Sequence, residues 1–131
     1  MSEQLTNEFV NGLRTLEESK DTKPLTRLYS DDAVIGNVIA PDQFHGPDGA
    51  EKFWKEYRGI FESAKSEFRN IIIGSERAAL EWTTDGTSLD GKPLHYTGVT
   101  LLEMESGKIT RSCAYFNPGT LGRQMTDDAQ S

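Results

Sequence analysis

The chain has 131 residues, 35% hydrophobic and 27% charged, with 14 Lys and Arg against 21 Asp and Glu and a formal net charge of −7. That length suits one domain with one core, taken over residues 1–131 with about 5–125 ordered. The acidic balance, with no dense basic cluster, excludes nucleic-acid binding through phosphate neutralisation and attraction to an anionic membrane surface, and no apolar run approaches the roughly 20 residues of a membrane span.

Leu5, Phe9, Leu13 and Leu16 recur at steps of four, four and three, which predicts a helix from Leu5 to Ser19 with one apolar face. A short second helix follows, with Asp21 or Thr22 as cap, Pro24 in its first turn and Leu25 and Leu28 inward. Ala33–Asn37 is predicted as a short strand and Ala40–Pro47 as a loop. The loop delivers a third helix with Gly46 as N-cap and Pro47 as first residue, and with Asp48 and Glu51 at the positive end of its dipole. Its stripe is Ala50, Phe53, Trp54, Tyr57, Ile60 and Phe61. From Ala64 the period changes to two, and strands are expected at Lys65–Ile73, Ala78–Gly86, His95–Met104 and Lys108–Asn117. Short turns at Gly74–Glu76, Asp90–Pro93 and Ser106–Gly107 make them an antiparallel meander. A helical turn at Thr120–Met125 and a disordered polar tail end the chain.

Helices followed by a strongly curved antiparallel sheet, one face of which the aromatic helix covers, give an α+β architecture. The single Cys113 excludes an intramolecular disulfide, and the polar start Met1–Gln4 carries no secretory signal, so a cytoplasmic protein is expected. Two histidines without ligand spacing predict no metal. No glycine-rich phosphate loop and no Gly-x-Ser-x-Gly elbow occurs, and no cofactor is expected.

The segments Leu28–Val34, His45–Ala50, Gly107-Lys108-Ile109 and Ala114–Pro118, in that order, resemble the nuclear transport factor two-like superfamily, the cystatin-like or SnoaL-like cone. The resemblance covers Phe9 to Met125. It implies a cone closed by the sheet and helices, a cavity for a small apolar or aromatic organic ligand, and a homodimer through the outer sheet face. It also carries candidate chemistries. Matched to ketosteroid isomerase, the base position falls on Asn37 and the two donor positions near Leu13 and Val99. Matched to limonene epoxide hydrolase, the working acids and arginine fall near Thr97, Val99 and Ala114. None of these residues is an acid, so those activities are not expected in their usual form. A SnoaL-like cyclase, which uses an acid and a histidine, leaves His45 and His95 as the acid–base pair. Many sequences of that type end the last strand in Tyr-Phe-Asp, where this chain has Asn117.

Strand alternation orders the remaining candidates. With Val99 turned inward by the isomerase match, His95, Thr97 and Leu101 share its face, and Tyr96, Thr100 and Leu102 join Arg111, Cys113 and Tyr115 on the dimer face. His95 titrates near neutral pH, and His45 lies where the cone mouth is expected. Both are the candidate catalytic residues. Asn37, Trp54, Tyr57, Phe61, Trp82, Thr97, Val99, Ser112 and Phe116 are the candidate ligand-binding residues, mostly apolar with a few polar groups. Two functions stay open: an isomerase- or cyclase-type enzyme with histidines in place of the carboxylates, and a non-catalytic ligand-binding or protein-interaction dimer.

Overall fold

The computed structural model describes residues 2–126. Helix α1 (Ser2–Ser19) buries Leu5, Phe9, Leu13 and Leu16, the stripe its spacing predicts. Lys20, in the left-handed region at φ 67°, turns the chain out of it and donates its N–H to the carbonyl of Leu16. Helix α2 (Lys23–Thr26) is a single turn capped at Thr22, with Pro24 inside its first turn and Leu25 buried against α1.

Strand β1 (Tyr29–Asn37) starts earlier than the apolar pattern suggests. Tyr29 already pairs with Ile109, and a register shift between Tyr29 and Val34 absorbs the polar Ser30-Asp31-Asp32. The predicted loop contains a two-residue strand, β2 (Phe44–His45), paired antiparallel with Val34 and Ile35. Helix α3 (Gly46–Gly59) follows directly; His45 rather than Gly46 is its N-cap, and Gly46 opens it at φ 71°. Phe61 is not on this helix. It is the buried first residue of β3 (Phe61–Ile73), because the chain leaves the helix at Gly59.

Strands β4 (Arg77–Ser88), β5 (Pro93–Glu105) and β6 (Lys108–Phe116) complete the meander. Ser106 and Gly107, both at positive φ (55° and 78°), form the two-residue turn between β5 and β6, whose twist suits a tight hairpin. The sheet has six strands in the order β2-β1-β6-β5-β4-β3. It is mixed rather than wholly antiparallel. β1 runs parallel to β6, which is possible because α3 and the other strands intervene between them. Bulges at Glu62 and Arg69 in β3 and a register shift beside Glu103 in β5 bend the strands. The helical turn predicted near the C-terminus is a nine-residue helix, α4 (Pro118–Thr126); the predicted disordered tail lies largely outside the described residues.

The main core lies between α1, α2, α3 and the inner sheet face: Phe9, Leu16, Leu25, Ile35, Leu80, Leu102 and Ile109 are essentially inaccessible. A second cluster, Phe61, Trp82, Leu94, Tyr96 and Leu121, closes the sheet's other end under α4. Among the described residues no helix is long and apolar enough to cross a membrane.

Candidate functional site

Register determines which side chains meet. Directly opposed residues of paired strands share a face. On the inner face one row runs Ser66–Thr84–Tyr96, the next Phe68–Trp82–Gly98–Phe116, and a third Leu80–Thr100–Ala114–Asn37. The expected parity holds for β4 and β6: Leu80, Trp82, Ser112, Ala114 and Phe116 face in. It fails for β5. Ala114 is inward and opposes Thr100, so Tyr96, Thr100 and Leu102 are inward too and are buried. His95, Thr97, Val99 and Leu101 turn to the outer face.

Between this face and α3 lies a cavity of about 160 Å³. Its walls are largely aromatic, with Phe53, Trp54 and Tyr57 from α3 opposing Trp82, Tyr96 and Phe116 from the sheet. Edge-to-face contacts brace both walls: Trp54 to Tyr57 at 5.5 Å between ring centroids and Trp82 to Tyr96 at 5.3 Å. Gly98 makes the second contact possible. A Cβ there would lie 2.6 Å from the Trp82 ring and 2.4 Å from the Tyr115 carbonyl oxygen. Leu121 of α4 also lines the space, and α4 is held to β5 by Gln124, whose amide bonds both the N–H and the carbonyl of His95 (2.6 and 2.7 Å).

Most polar groups along this wall are satisfied within the protein. Trp82 Nε1 donates to Thr100 Oγ1 at 2.9 Å. Trp54 Nε1 donates to the Tyr29 hydroxyl at 3.2 Å, which also bonds Ser112 Oγ at 2.9 Å; burial pushes the Tyr29 phenol up to about 12, partly offset by those two bonds. Two groups on the sheet side of the wall are left uncommitted, and neither polar atom is fully buried. The Tyr96 hydroxyl makes no hydrogen bond among the described residues, although Tyr96 is only 6% exposed. Asn37 uses its Oδ1 to accept from the N–H groups of Ile39 and Ala40 (2.9 and 3.2 Å), and its Nδ2 has no partner among the described residues.

A buried carboxylate stands behind the lining. Glu17, on the last turns of α1, accepts from the Tyr57 hydroxyl (2.7 Å), the Ser66 N–H (2.8 Å) and the Ser66 hydroxyl (2.5 Å). Ser66 Oγ in turn lies 2.6 Å from Thr84 Oγ1. Burial, and then the Glu17 charge, raises the phenols of both Tyr57 and Tyr96. Sequence reasoning missed Glu17, yet a signal was present: Leu5, Phe9 and Leu13 continue at a step of four to residue 17, which puts a carboxylate on the apolar stripe.

The candidates therefore divide. Asn37, Trp54, Tyr57, Trp82 and Phe116 line the cavity together. Phe61 packs behind Tyr57, with 5.4 Å between ring centroids, and Ser112 binds Tyr29; neither is a lining residue. Thr97 and Val99 lie on the outer face through the inverted parity of β5. His95 is exposed there, its Nδ1 2.5 Å from Asp85 Oδ1. His45 is exposed at the N-cap of α3 without a side-chain cap bond, so neither histidine lines the cavity. Of the acid positions expected from relatives, Leu13, Asn37 and Ala114 do line it, and none carries an acid. Among the described residues no group of three or more His, Cys, Asp or Glu is placed to hold a metal.

A family model for the SnoaL-like domain matches residues 10–112. The chain belongs to the SnoaL-like family. Solved structures agree on the fold of this SnoaL-like chain at low identity. An NTF2-like protein from Anabaena variabilis is 12% identical with a TM-score of 0.79, over 88% of this chain and 89% of that one. A protein of ketosteroid isomerase-like fold from Catenulispora acidiphila, solved in complex with trimethylamine, is 15% identical with a TM-score of 0.78, over 95% and 96%. TerC, co-crystallised with polyporic acid, is 16% identical with a TM-score of 0.77, over 92% and 97%. At these identities the likeness establishes the SnoaL-like, NTF2-like fold and not an activity. A search of curated proteins finds no match.

Proposed function

We propose that this SnoaL-like chain binds a small, largely apolar aromatic molecule in its cone cavity. One observation carries the reading: the Tyr96 hydroxyl and the Asn37 Nδ2 have no partner among the described residues and stand on the sheet side of a largely aromatic wall. Uncommitted polar groups that stay accessible in a mostly apolar wall suit a ligand that completes their bonds. That two structural relatives hold small organic molecules, polyporic acid and trimethylamine, agrees with it.

The chain's two tryptophans, Trp54 and Trp82, both line the cavity, so intrinsic fluorescence reports its occupancy. Titration with planar aromatic probes is expected to quench that emission saturably, and Y96F is expected to weaken the effect about tenfold. Absence of saturable quenching by any aromatic probe would refute the reading.

Binding without catalysis is favoured by the vacant acid positions, Leu13, Asn37 and Ala114, on the cavity wall. An isomerase- or cyclase-type acid–base reaction is the second reading, favoured by the buried Glu17 behind Tyr57 and Ser66. His45 and His95 enter such a reaction only if the ligand extends beyond the lining to reach them. We further propose that a second copy of the chain docks on the outer sheet face. The apolar residues that support this are Val99, Leu101 and Tyr115, the last two 37% and 38% exposed. Tyr115 stays from the expected set, while Val99 and Leu101 take the place of Tyr96, Thr100 and Leu102, which point inward, and Cys113 is buried within the monomer itself.

A further inference from the structure

We propose that Glu17 makes the deep end of the cavity a receptor for a neutral ligand hydroxyl, a phenol or an enol, and excludes the corresponding oxyanion. The inference rests on the small-molecule reading above and adds the chemical class of the group that is bound.

Each hydroxyl has one proton to donate and two lone pairs. Tyr57 gives its proton to Glu17 Oε2, and so does Ser66. Ser66 lies within bonding distance of Thr84 and has no second proton, so in that contact Thr84 is the donor. Three hydroxyl protons on the wall therefore converge on Glu17 Oε2, those of Tyr57 and Ser66 directly and that of Thr84 through Ser66, so neither Tyr57 nor Ser66 has a proton for the 3.4 Å contact between them, while Glu17 Oε1 is taken by the Ser66 N–H. Tyr57 and Thr84 are left with lone pairs to present to the cavity, and both line it, as does Ser66.

Beside this acceptor surface stands Tyr96, opposite Thr84 in the register and with its own hydroxyl uncommitted. A ligand O–H placed there accepts from Tyr96 and donates to Tyr57. A phenolate or enolate accepts from Tyr96 but meets the lone pairs of Tyr57 and Thr84, with the Glu17 charge behind them. The remaining titratable groups packed around this end do not reverse the sign. Arg58 of α3 keeps its positive charge, but it is buried outside the cavity lining, with Nε donating to the Glu17 carbonyl at 3.2 Å and Nη1 to the Phe61 carbonyl at 2.9 Å, so a ligand oxyanion does not meet it. Glu56 of α3, which also lines the space, adds negative charge.

The test uses para-nitrophenol, whose neutral and ionised forms have distinct absorption spectra, with nitrobenzene as a probe of the same shape lacking the hydroxyl. The intact chain is expected to bind the neutral phenol at least about tenfold more tightly than its anion. Bound dye then titrates about one pH unit above free dye. E17Q removes the charge and the acceptor-only character, and is expected to return the bound dye to the titration of free dye. Y57F keeps the ring packing and the Ser66–Glu17 bonds and is expected to lose about tenfold in neutral-phenol binding with little change for nitrobenzene; it decides the matter should E17Q fail to fold. Bound dye in the anionic form, or equal affinity for both forms, overturns the inference while leaving the cavity reading intact. Failure of both nitrobenzene and para-nitrophenol to quench the tryptophans refutes both.

Discussion

The Tyr57 hydroxyl donates to Glu17 Oε2 at 2.7 Å, joining residues 40 apart in sequence and tying α3 to α1 at the wall of the cavity. Hydrogen bonds to a charged acceptor contribute about 1.5–3 kcal/mol. Y57F is therefore expected to lower the unfolding free energy by about 2 kcal/mol, measured by urea denaturation. An unchanged midpoint would show that this bond does not hold in solution.

Glu17 itself is more critical. E17A leaves the Tyr57 and Ser66 hydroxyls and the Ser66 N–H without their acceptor, at about 1–3 kcal/mol for each buried donor left unmade. A loss of about 3 kcal/mol or more is expected, larger than that of Y57F. Equal losses for the two variants would mean that the Ser66 bonds contribute little.

Gly98 permits the aromatic wall. In G98A the added methyl meets the Trp82 ring and the Tyr115 carbonyl oxygen well inside contact distance. The carbonyl belongs to the paired strand and cannot retreat cheaply, so a destabilisation of about 1–3 kcal/mol is expected. Trp82 should also report a shifted emission. A variant as stable as the parent with unchanged emission would contradict this packing.

Alkaline pH should unfold the protein through its buried phenols. Tyr29 is raised to about 12 by burial, from 10.0. The folded state thus holds a proton that the unfolded state releases first. Its stabilisation is fully present below pH 10 and is lost as pH rises from about 10 to 12, a range worth about 3 kcal/mol. Tyr57 and Tyr96, also raised, act in the same direction. Urea midpoints taken through this range should fall steeply; a flat profile would exclude the buried, neutral state of Tyr29.

The outer face carries the proposed self-association. L101D puts a charge among Val99, Cys113 and Tyr115 without disturbing the inner face, since the side chain of Leu101 points away from the cavity. Sedimentation should show a dimer dissociated by this change, with Kd raised more than about tenfold. A parent chain that sediments as a monomer at all concentrations would end the proposal.

Much of this could be read from the residues in order. Helical spacing revealed Leu5, Phe9, Leu13 and Leu16, and alternation with Gly-centred turns revealed β4 to β6, because both are local periodicities that the backbone geometry imposes. The cavity walls from α3, Trp54 and Tyr57, followed from the same stripe. The face of β5 did not. Alternation tells which residues share a side but not which side is inside, and Val99 was placed by a match across diverged sequences. The pairing of Thr100 with Ala114 settles it, and a one-residue change of parity moves every side chain of β5 across the sheet.

The amino-acid order by itself determined the succession of helices and strands, the single α+β architecture and the aromatic character of the third helix, since these depend on neighbours within a turn or two. Only the tertiary structure decided the site. Glu17, Tyr57, Ser66, Thr84 and Tyr96 come from two helices and three strands, and the direction of each hydroxyl proton depends on partners distant in sequence. Hydrogen-bond polarity of that kind is a property of the packed arrangement, which no local pattern carries.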